Sequence, residues 1–381
     1  MKIAFVATGT PEFDDFPDPS AGSSAQEWAL AVEFSSRGHD VAIFRGTFGR
    51  QRTWETRHEI TIVDIPAPSI DAILNGMFTK LLFSYRVRSQ LRKRGPDVVF
   101  MRERHTAVFP ARSDLDTLYT VESPDSFPFF RSFSTSKHVM NYILYPYKDL
   151  IERHVLGTVD TITTISRDMR DYLREREYEN TEFVGVCINP DDFPAKAELS
   201  DDRILLFAGR LVKLKRAEWA LDAYAGIDSD EFELHFAGEG PRKQHLQDCV
   251  AEYGLENEVT FHGWLNRKNL LELMGRASVL VHPSKFEMGG NVVLEAMASG
   301  CPVVAGNVMG PRTLISHGET GFIFDRDDRS ELRSYLRDLV ADRSLRTEMG
   351  AAARERALTN FDATTVADRF LRAYASSSNP E

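Results

Sequence analysis

The chain has 381 residues, of which 42% are hydrophobic and 27% charged, a composition typical of soluble globular proteins at a length that predicts two domains. Its net charge of −11 argues against a general nucleic-acid-binding protein, and since no run of about 18 apolar residues occurs, the sequence predicts no membrane-spanning helix. Three scattered cysteines argue against a disulfide framework and favour a reducing, cytoplasmic environment.

The first half of the chain alternates short, apolar, β-rich segments with helical segments. The opening segment MKIAFVATG has one lysine before a short apolar run, which predicts a first strand rather than a signal peptide. An amphipathic helix follows and ends at Gly38. Strands that alternate with helices predict a parallel sheet covered on both faces. The further predicted strands are HDVAIF, PDVVFM, TLYTVE and TITTIS, and the further helices include residues 71–95 and SRDMRDYLRERE.

The second half repeats this alternation. Residues 188–203 have no clear period and are rich in proline, aspartate and alanine, which predicts an interdomain linker. The strand RILLFAG and the helix KRAEWALDAYAGI then begin a second doubly wound domain. In such sheets ligands bind beyond the carboxyl ends of the strands, usually at helix N-termini. The strands that follow are FELHFAG, VTFHG, VLVHPS, PVVAG and GFIF, and the last predicted helix is FDATTVADRFLRAYASS.

The segment SKFEMGGNVVLEAMASGCPVVAG at 284–306 predicts a loop and then a helix that begins near Asn291 and ends at Gly300. Glu287 on the loop can accept hydrogen bonds from sugar hydroxyls, and Glu295, about one turn into the helix, from a vicinal diol such as a ribose. Backbone amides at a helix N-terminus suit an anionic, oxygen-rich ligand. These amides belong to Gly289, Gly290, Asn291 and Val292. The segment therefore predicts a nucleotide-sugar site, with a surface loop as the alternative.

The stretch FAGRLVKLKR places Gly209, Arg210 and Lys215 just after a strand. Two cations at the carboxyl end of a strand can bind a diphosphate and stabilise its charge as it leaves. Solvated surface charge is the alternative for both side chains. Lys213 and Arg216 are predicted to be surface residues.

Three other features are predicted to be structural. Gly238 and Gly240 indicate a tight strand–helix turn rather than a ligand contact. The polar triplet at 228–230 indicates a turn rather than a metal-binding motif, and no His/Cys cluster has zinc spacing. His105 has no clear partner in the sequence and is predicted to be a loop residue rather than a base.

The order of these motifs resembles that of the retaining glycosyltransferases of family 4, which have the GT-B fold. The resemblance covers nearly the whole chain and is most specific over 284–306. The motifs are MKIAFVATG, RGHDVAIF, SRDMRDYLRE, GRLVKLK, AGEGP, VTFHGW, HPSKFEMGGNVVLEAMASGCPVVAG and GETGFIF. The resemblance implies two Rossmann-like, doubly wound parallel-sheet domains that face a central cleft. The expected bounds are 1–192 for an acceptor domain, 200–358 for a nucleotide-sugar donor domain, and 359–381 for a closing helix and tail.

The resemblance also implies an activity: metal-independent transfer of a sugar from a nucleoside-diphosphate sugar to an acceptor hydroxyl, with retention of configuration and no cofactor. Arg210 and Lys215 would neutralise the leaving diphosphate, and Glu287 would hold the sugar rather than act as a nucleophile. The base would stack near His262, Gly263 and Trp264. The implied donor-binding residues are Gly22, Gly209, Arg210, Lys215, Gly263, Trp264, Glu287, Gly289, Gly290, Asn291, Val292 and Glu295. The implied cellular role is synthesis of cell-surface polysaccharide, glycolipid or other glycan.

This chain departs from the family pattern at several positions. Gly22 and Ser23 stand where the family has a glycine pair, and Gly22 can still approach the donor phosphate or the acceptor. Glu122, in TVESPDS, stands where many members have a histidine, and it is a catalytic candidate that would orient the donor or the acceptor hydroxyl. A structural acid at a strand end is the alternative for Glu122. Thr313 occupies the position of an expected glutamate.

Residues 71–94 combine six basic side chains with Leu, Phe and Tyr, a pattern that fits peripheral contact with an anionic membrane near a lipid-linked acceptor. An ordinary surface helix is the alternative. The basic residues are Lys80, Arg86, Arg88, Arg92, Lys93 and Arg94.

Other classes of protein also have domains of this kind. An NAD-type oxidoreductase would have G-x-G-x-x-G after the first strand, where this chain has ATGTPEFDD. A nucleotide-sugar epimerase or hydrolase of the same fold, and a non-catalytic sugar-nucleotide-binding protein, are the remaining alternatives. The base and sugar of the donor, the acceptor and the oligomeric state stay open.

Overall fold

The computed structural model describes residues 1–7, 22–47, 51–66, 77–112, 114–121, 139–193, 202–227 and 231–378. The chain divides into two compact units. The first unit contains the first strand, Ser23–Cys187 and Ala363–Glu381, and the second contains Gly22 and Ile188–Asp362. Each unit has its own sheet, which confirms the predicted pair of doubly wound parallel-sheet domains.

The first unit is built on an eight-stranded sheet with the order β3-β4-β2-β1-β5-β6-β7-β8, in which every adjacent pair is parallel except β3–β4. Strands β3, β4 and β8 were not among the predicted strands. The strands are β1 Lys2–Val6, β2 Asp40–Thr47, β3 Arg52–Glu55, β4 Thr61–Pro66, β5 Val98–Met101, β6 Asp116–Val121, β7 Thr161–Thr164 and β8 Thr181–Phe183. The helices are α1 Gly22–Ser36, α2 Met77–Arg94, α3 Arg104–Ala107, α4 Val139–Leu156, α5 Arg167–Arg174 and α13 Ala363–Ser378.

Aromatic side chains form much of the core of the first unit. The ring of Phe100 on β5 lies 5.0 Å from that of Phe5 on β1 and 5.7 Å from that of Phe34 on α1. Phe370 on α13 meets Phe100 edge-on at 5.2 Å. Buried aromatic rings of this size dominate core energetics. The last helix is therefore part of the core of the first unit, although it follows the second unit in the chain.

The second unit is built on a six-stranded, wholly parallel sheet with the order β11-β10-β9-β12-β13-β14. The strands are β9 Ile204–Ala208, β10 Glu233–Ala237, β11 Val259–Gly263, β12 Val279–His282, β13 Val303–Gly306 and β14 Gly321–Phe324. The helices are α6 Ala217–Ala225, α7 Lys243–Tyr253, α8 Arg267–Arg276, α9 Asn291–Ala298, α10 Met309–Leu314, α11 Arg329–Ala341 and α12 Arg343–Asn360.

The central strands of this sheet are covered by helices on both faces. All five residues of β9 are buried, as are all four of β12 and β13. Such continuous apolar runs are expected where helical crossovers cover a parallel sheet. The predicted donor-binding residues of the second unit lie at the carboxyl ends of β9, β11 and β12, in the loops that follow them and in the helix α9. Among the described helices, none is both long and apolar enough to cross a bilayer.

Candidate active site

The loop after β9 presents a glycine and an exposed cation. Gly209 has φ +148°, and no atom lies within 4 Å of the place a Cβ would take. Arg210 is exposed, and its side chain makes no hydrogen bond or ion pair with any described residue. The next loop packs closely against this one, since a Cβ on Gly238 would lie 2.0 Å from the Gly209 carbonyl oxygen and one on Gly240 2.4 Å from that of Leu211. Gly238 and Gly240 are thus required by the backbone packing of the predicted turn.

Lys215 and Glu287 form an ion pair at this edge of the sheet. Lys215 Nζ lies 2.5 Å from Glu287 Oε2, and each side chain is 20% exposed. The other carboxylate oxygen of Glu287 accepts a hydrogen bond from the Gly290 amide at 3.4 Å. The pair brings one predicted diphosphate ligand into direct contact with the predicted sugar ligand.

Glycines hold the loop that carries Glu287. Gly290 has φ +75°, a left-handed conformation that favours glycine, and it immediately precedes α9. Helix α9 begins at Asn291, as predicted. The Gly310 amide donates to the Glu287 carbonyl at 2.9 Å. A Cβ on Gly310 would lie 2.9 Å from backbone atoms of both Gly289 and Gly290, so α10 approaches the loop as closely as glycine allows.

Two buried polar groups lie close to Glu287 in the chain. His282 is 2% exposed, and its Nε2 lies 3.5 Å from Glu287 Oε2. His282 Nε2 and the Oγ of the fully buried Ser284 make no hydrogen bonds to any residue that the structure describes. Burial would raise the pKa of Glu287, but the charge of Lys215 and the proximity of His282 hold it well below its ordinary value. Glu287 is therefore ionised at neutral pH.

The environment of His282 favours the uncharged ring. Burial lowers the pKa of His282, the neighbouring Glu287 opposes this effect, and the charge of Lys215 adds to it. A neutral imidazole can donate from only one of its nitrogens. The sequence did not identify His282 or Ser284 as site residues, although both lie in the HPS tripeptide that ends β12.

Glu295, the predicted ribose ligand, is not an open acceptor in the free protein. It is 8% exposed on α9, and its Oε1 accepts a hydrogen bond from Arg267 at the start of α8. Arg267 also donates to Asp192 Oδ2 at 2.9 Å. Burial alone would lower the pKa of Arg267, but the two carboxylates raise it. The sequence did not identify Arg267 or Asp192, and the Arg267 guanidinium lies against the carboxylate that was predicted to bind a ribose.

The predicted base-binding segment follows β11. The Trp264 side chain is 68% exposed, which leaves its ring open to stacking. Gly263 has φ +68°. His262 Nε2 lies 3.0 Å from His235 Nδ1, whose other ring nitrogen lies 2.9 Å from a carboxylate oxygen of Glu233. Burial and the neighbouring His235 lower the pKa of His262.

Other predicted residues lie elsewhere. Gly22 is the first residue of α1. Glu122 and the polar triplet at 228–230 lie outside the described residues. Thr313 is buried in α10, where its hydroxyl donates to the Met309 carbonyl at 2.9 Å. Among the described residues, no group of three His, Cys, Asp or Glu side chains is placed to hold a metal ion.

The prediction that Arg216 is a surface residue is wrong. Arg216 is 9% exposed, with its guanidinium 4.1 Å from the centre of the Trp219 ring and 2.7 Å from Asp327 Oδ1. A cation over an indole face is attracted by the ring quadrupole. Its acidic partner is 111 residues away in the chain, so the local charge run did not reveal the contact. Lys213 is exposed, as predicted.

Two family models match adjoining parts of the chain. The model described as Glycosyltransferase Family 4 matches residues 22–188, and the one described as Glycosyl transferases group 1 matches residues 189–356. Together they cover most of the sequence. The chain belongs to the family 4, group 1 glycosyltransferases. The resemblance indicated by the sequence motifs is confirmed.

This glycosyltransferase is similar to known relatives and to solved structures over different lengths of its chain. Glycogen synthase of Mycobacterium tuberculosis is 29% identical over 238 residues, which are 61% of this chain and 58% of that protein. The chain thus matches less than two thirds of that relative. Sucrose-phosphate synthase from Thermosynechococcus elongatus has a TM-score of 0.81 at 21% identity, over 98% of both chains. Anabaena HepE, solved in complex with UDP and glucose, has a TM-score of 0.71 at 17% identity, over 99% of this chain and 100% of that one. These structures confirm that the glycosyltransferase has the GT-B fold.

Proposed function

We propose that this glycosyltransferase moves a sugar from a nucleoside-diphosphate sugar to an acceptor hydroxyl, with retention of anomeric configuration and no required metal. The observation that carries the proposal is the contact between Lys215 and Glu287, where Lys215 follows the exposed Arg210 in the same loop after β9. A cation pair for a diphosphate and a carboxylate for sugar hydroxyls lie at the carboxyl edge of one sheet, next to the first turn of α9. That edge is where open parallel sheets bind their ligands.

In the proposed binding mode, each of these groups contacts a part of the donor. Arg210 and Lys215 bind the diphosphate, and amides of the α9 N-terminus add hydrogen bonds to its oxygens. Glu287 accepts hydrogen bonds from the sugar. The ribose binds Glu295, and the base stacks near Trp264. Lys215 has three N–H donors, so in this binding mode it keeps a hydrogen bond to Glu287 and donates another to a phosphate oxygen.

The reaction breaks the bond between the anomeric carbon and the diphosphate oxygen. Positive charge develops on the sugar, and Arg210, Lys215 and the amides stabilise the negative charge of the departing diphosphate. The acceptor hydroxyl attacks from the same face, so the new bond has the original configuration. The acceptor's proton passes to an oxygen of the leaving diphosphate. Glu287 holds the sugar throughout and forms no covalent bond to it.

The first donors to test are uridine nucleotides, because HepE was solved with UDP and glucose. A thermal-shift panel of UDP, GDP, ADP and their glucose conjugates, each with EDTA, tests donor binding. A ligand at 100 times its Kd adds about 2.7 kcal/mol to the free energy of unfolding. Stabilisation by one nucleotide in EDTA supports the metal-independent donor site, and no stabilisation by any of them contradicts it.

The products separate transfer from the alternatives. Because the chain is similar to a glycogen synthase, polysaccharide is the first class of acceptor to test. A glycosylated acceptor with unchanged anomeric configuration supports the proposal. Free sugar formed equally well without acceptor indicates a hydrolase, and binding without turnover indicates a sugar-nucleotide-binding protein. We also propose a cytoplasmic location and a role in glycan synthesis, on the basis of the scattered cysteines and the family.

Peripheral membrane contact is proposed for helix α2, but three of its arginines already make ion pairs or hydrogen bonds within the first unit. Arg92 and Arg94 pair with aspartates at 3.4 Å and 2.5 Å, and Arg86 donates to the Pro66 carbonyl. Tyr85 and Lys93 are exposed. These contacts favour the ordinary surface helix. Flotation with anionic vesicles at low salt decides the matter, since binding supports membrane contact and no binding supports the surface helix.

A further inference from the structure

A carboxylate–histidine pair lies at the carboxyl end of β5 in the first unit. Glu103 caps the short helix α3, and its Oε2 accepts a hydrogen bond from the Thr106 amide at 2.9 Å. Its Oε1 lies 2.6 Å from His105 Nδ1 and 3.6 Å from Lys80 Nζ. His105 is 8% exposed. The prediction that His105 is a loop residue without a clear partner is wrong, because the turn of α3 brings the ring back onto the carboxylate two residues earlier.

The segment that carries this pair is fixed to its neighbours. Ser84 on α2 donates its hydroxyl to the Thr106 carbonyl at 2.8 Å. Arg104 Nε lies 3.1 Å from Glu152 Oε2 on α4, and the Tyr119 hydroxyl of β6 donates to Glu152 Oε1 at 3.2 Å. Both Arg104 and Glu152 are buried. Side chains held in this way from three elements keep a binding geometry before any ligand arrives.

The hydrogen bond to Glu103 determines what His105 can offer a ligand. A histidine whose Nδ1–H donates to a carboxylate presents a lone pair at Nε2. His105 Nε2 is buried and has no hydrogen-bond partner among the described residues. Burial would raise the pKa of Glu103, but its hydrogen bonds with His105 and the Thr106 amide and the charge of Lys80 hold it below the ordinary value. The carboxylate is therefore ionised at neutral pH.

A second polar group without a partner lies beside the histidine. The ring of Tyr147 on α4 stacks on that of His105, with centroids 6.1 Å apart and planes 26° apart. The Tyr147 hydroxyl is also buried and makes no hydrogen bond within the part of the chain that the structure describes. Burial and the charge of Glu103 raise the pKa of Tyr147, so the hydroxyl keeps its proton. Leaving a buried donor or acceptor unsatisfied costs about 1–3 kcal/mol.

We infer that Glu103, His105 and Tyr147 form a hydroxyl-binding site for a polyhydroxylated acceptor, a sugar or a polyol, within the first unit. A hydroxyl matches the chemistry of both groups, because it can donate to a lone pair at His105 Nε2 and accept from the Tyr147 hydroxyl. The site lies at the sheet edge where parallel sheets bind ligands. The inference rests on the proposed function, because the bound sugar or polyol is the acceptor of the proposed transfer. A permanently buried water is the competing occupant.

Histidine NMR on the full chain tests this inference. The probes are myo-inositol, glucose and maltose, and the His105 imidazole signals are assigned from their loss in His105→Gln. We expect at least one probe to shift these signals in a saturable way. Tyr147→Phe should then raise the Kd of that probe about three- to tenfold, as expected for the loss of one hydrogen bond. His39→Gln is the control, because His39 lies in the same unit and contacts the N-terminal amine.

The outcomes separate this inference from the proposed function. No shift of the His105 signals by any probe, or unchanged affinity in Tyr147→Phe, overturns the inference in favour of buried water. UDP stabilisation is measured on the same variants, because the donor residues belong to the second unit. If UDP still binds but no probe binds, only the acceptor site is contradicted. If a probe binds at His105 but the protein binds no nucleotide of the panel, the proposed donor chemistry is contradicted instead.

Discussion

Lys215 Nζ lies 2.5 Å from Glu287 Oε2, so the groups proposed to bind the diphosphate and the sugar neutralise each other in the free protein. An empty donor site with two unpaired, half-buried charges would cost desolvation free energy without compensation. The ion pair keeps both side chains in place at the carboxyl edge of the second sheet. A donor then replaces part of this contact with its own phosphate and hydroxyl groups.

Replacing Glu287 with alanine tests the proposed sugar contact. Glu287→Ala should reduce turnover about 10²-fold or more, because a preorganised polar contact to the reacting sugar is lost. The assay uses the nucleotide sugar that stabilises the protein in the thermal-shift panel. Glu319→Ala, which removes an exposed glutamate of the same unit, is the matched control. Near-normal turnover in Glu287→Ala would refute the assigned role.

Replacing Lys215 with alanine tests the diphosphate contact. Loss of a charged hydrogen bond should weaken nucleoside-diphosphate binding by about 1.5–3 kcal/mol, which is about 10- to 150-fold in Kd. Titration calorimetry with the stabilising nucleotide measures the change. Lys213→Ala is the control, since this exposed lysine lies two residues away in the same 3-10 turn. An equal loss in both variants would point to general electrostatic attraction rather than a specific contact.

Much of the second unit could be predicted because its signals are local. The glycine pair, the helix start at Asn291 and the two carboxylates all lie within 284–306, and the strands of this unit are apolar runs bounded by turns. Strand β8 was missed because three residues give too short a pattern to recognise. Strand β3 pairs at the sheet edge, where exposed, charged residues give it no apolar period.

The partners of the site residues could not be predicted, because they come from distant parts of the chain. Arg267 is 28 residues from Glu295 and 75 from Asp192, and Lys215 is 72 residues from Glu287. No local pattern marks which cation meets which carboxylate. The partner of His105 was not predicted for a different reason. Glu103 is only two residues away, but the contact depends on the turn of α3. Propensity alone would not specify a four-residue helix there.

The depressed pKa of Glu287 predicts a specific pH dependence of stability. A carboxyl group whose pKa is lowered on folding stabilises the protein fully above its unfolded value, about 4.3, and this contribution is lost as the pH falls towards the folded-state pKa. Below about pH 4, the free energy of unfolding of the natural protein should fall more steeply than that of Glu287→Gln, by up to about 1.4 kcal/mol per pH unit.

Chemical denaturation of both proteins at neutral pH and at two values below pH 4 measures the difference in slope. The neutral-pH measurement separates the pH effect from the constant loss caused by the substitution itself. Parallel pH profiles for the two proteins would mean that the Glu287 carboxyl titrates alike in the folded and unfolded chains.

A double-mutant cycle tests whether Arg267 stabilises the buried Glu295. Arg267→Ala leaves Glu295, 8% exposed, without its cation, and should lower the free energy of unfolding by about 3–5 kcal/mol. Adding Glu295→Gln removes the uncompensated charge, so the double variant should be more stable than Arg267→Ala alone. Lys268→Ala, the neighbouring exposed cation, should change stability by less than about 0.5 kcal/mol. If the two substitutions add without interaction, Glu295 is not held by Arg267, and the carboxylate is then free in solution to accept both hydroxyls of a ribose.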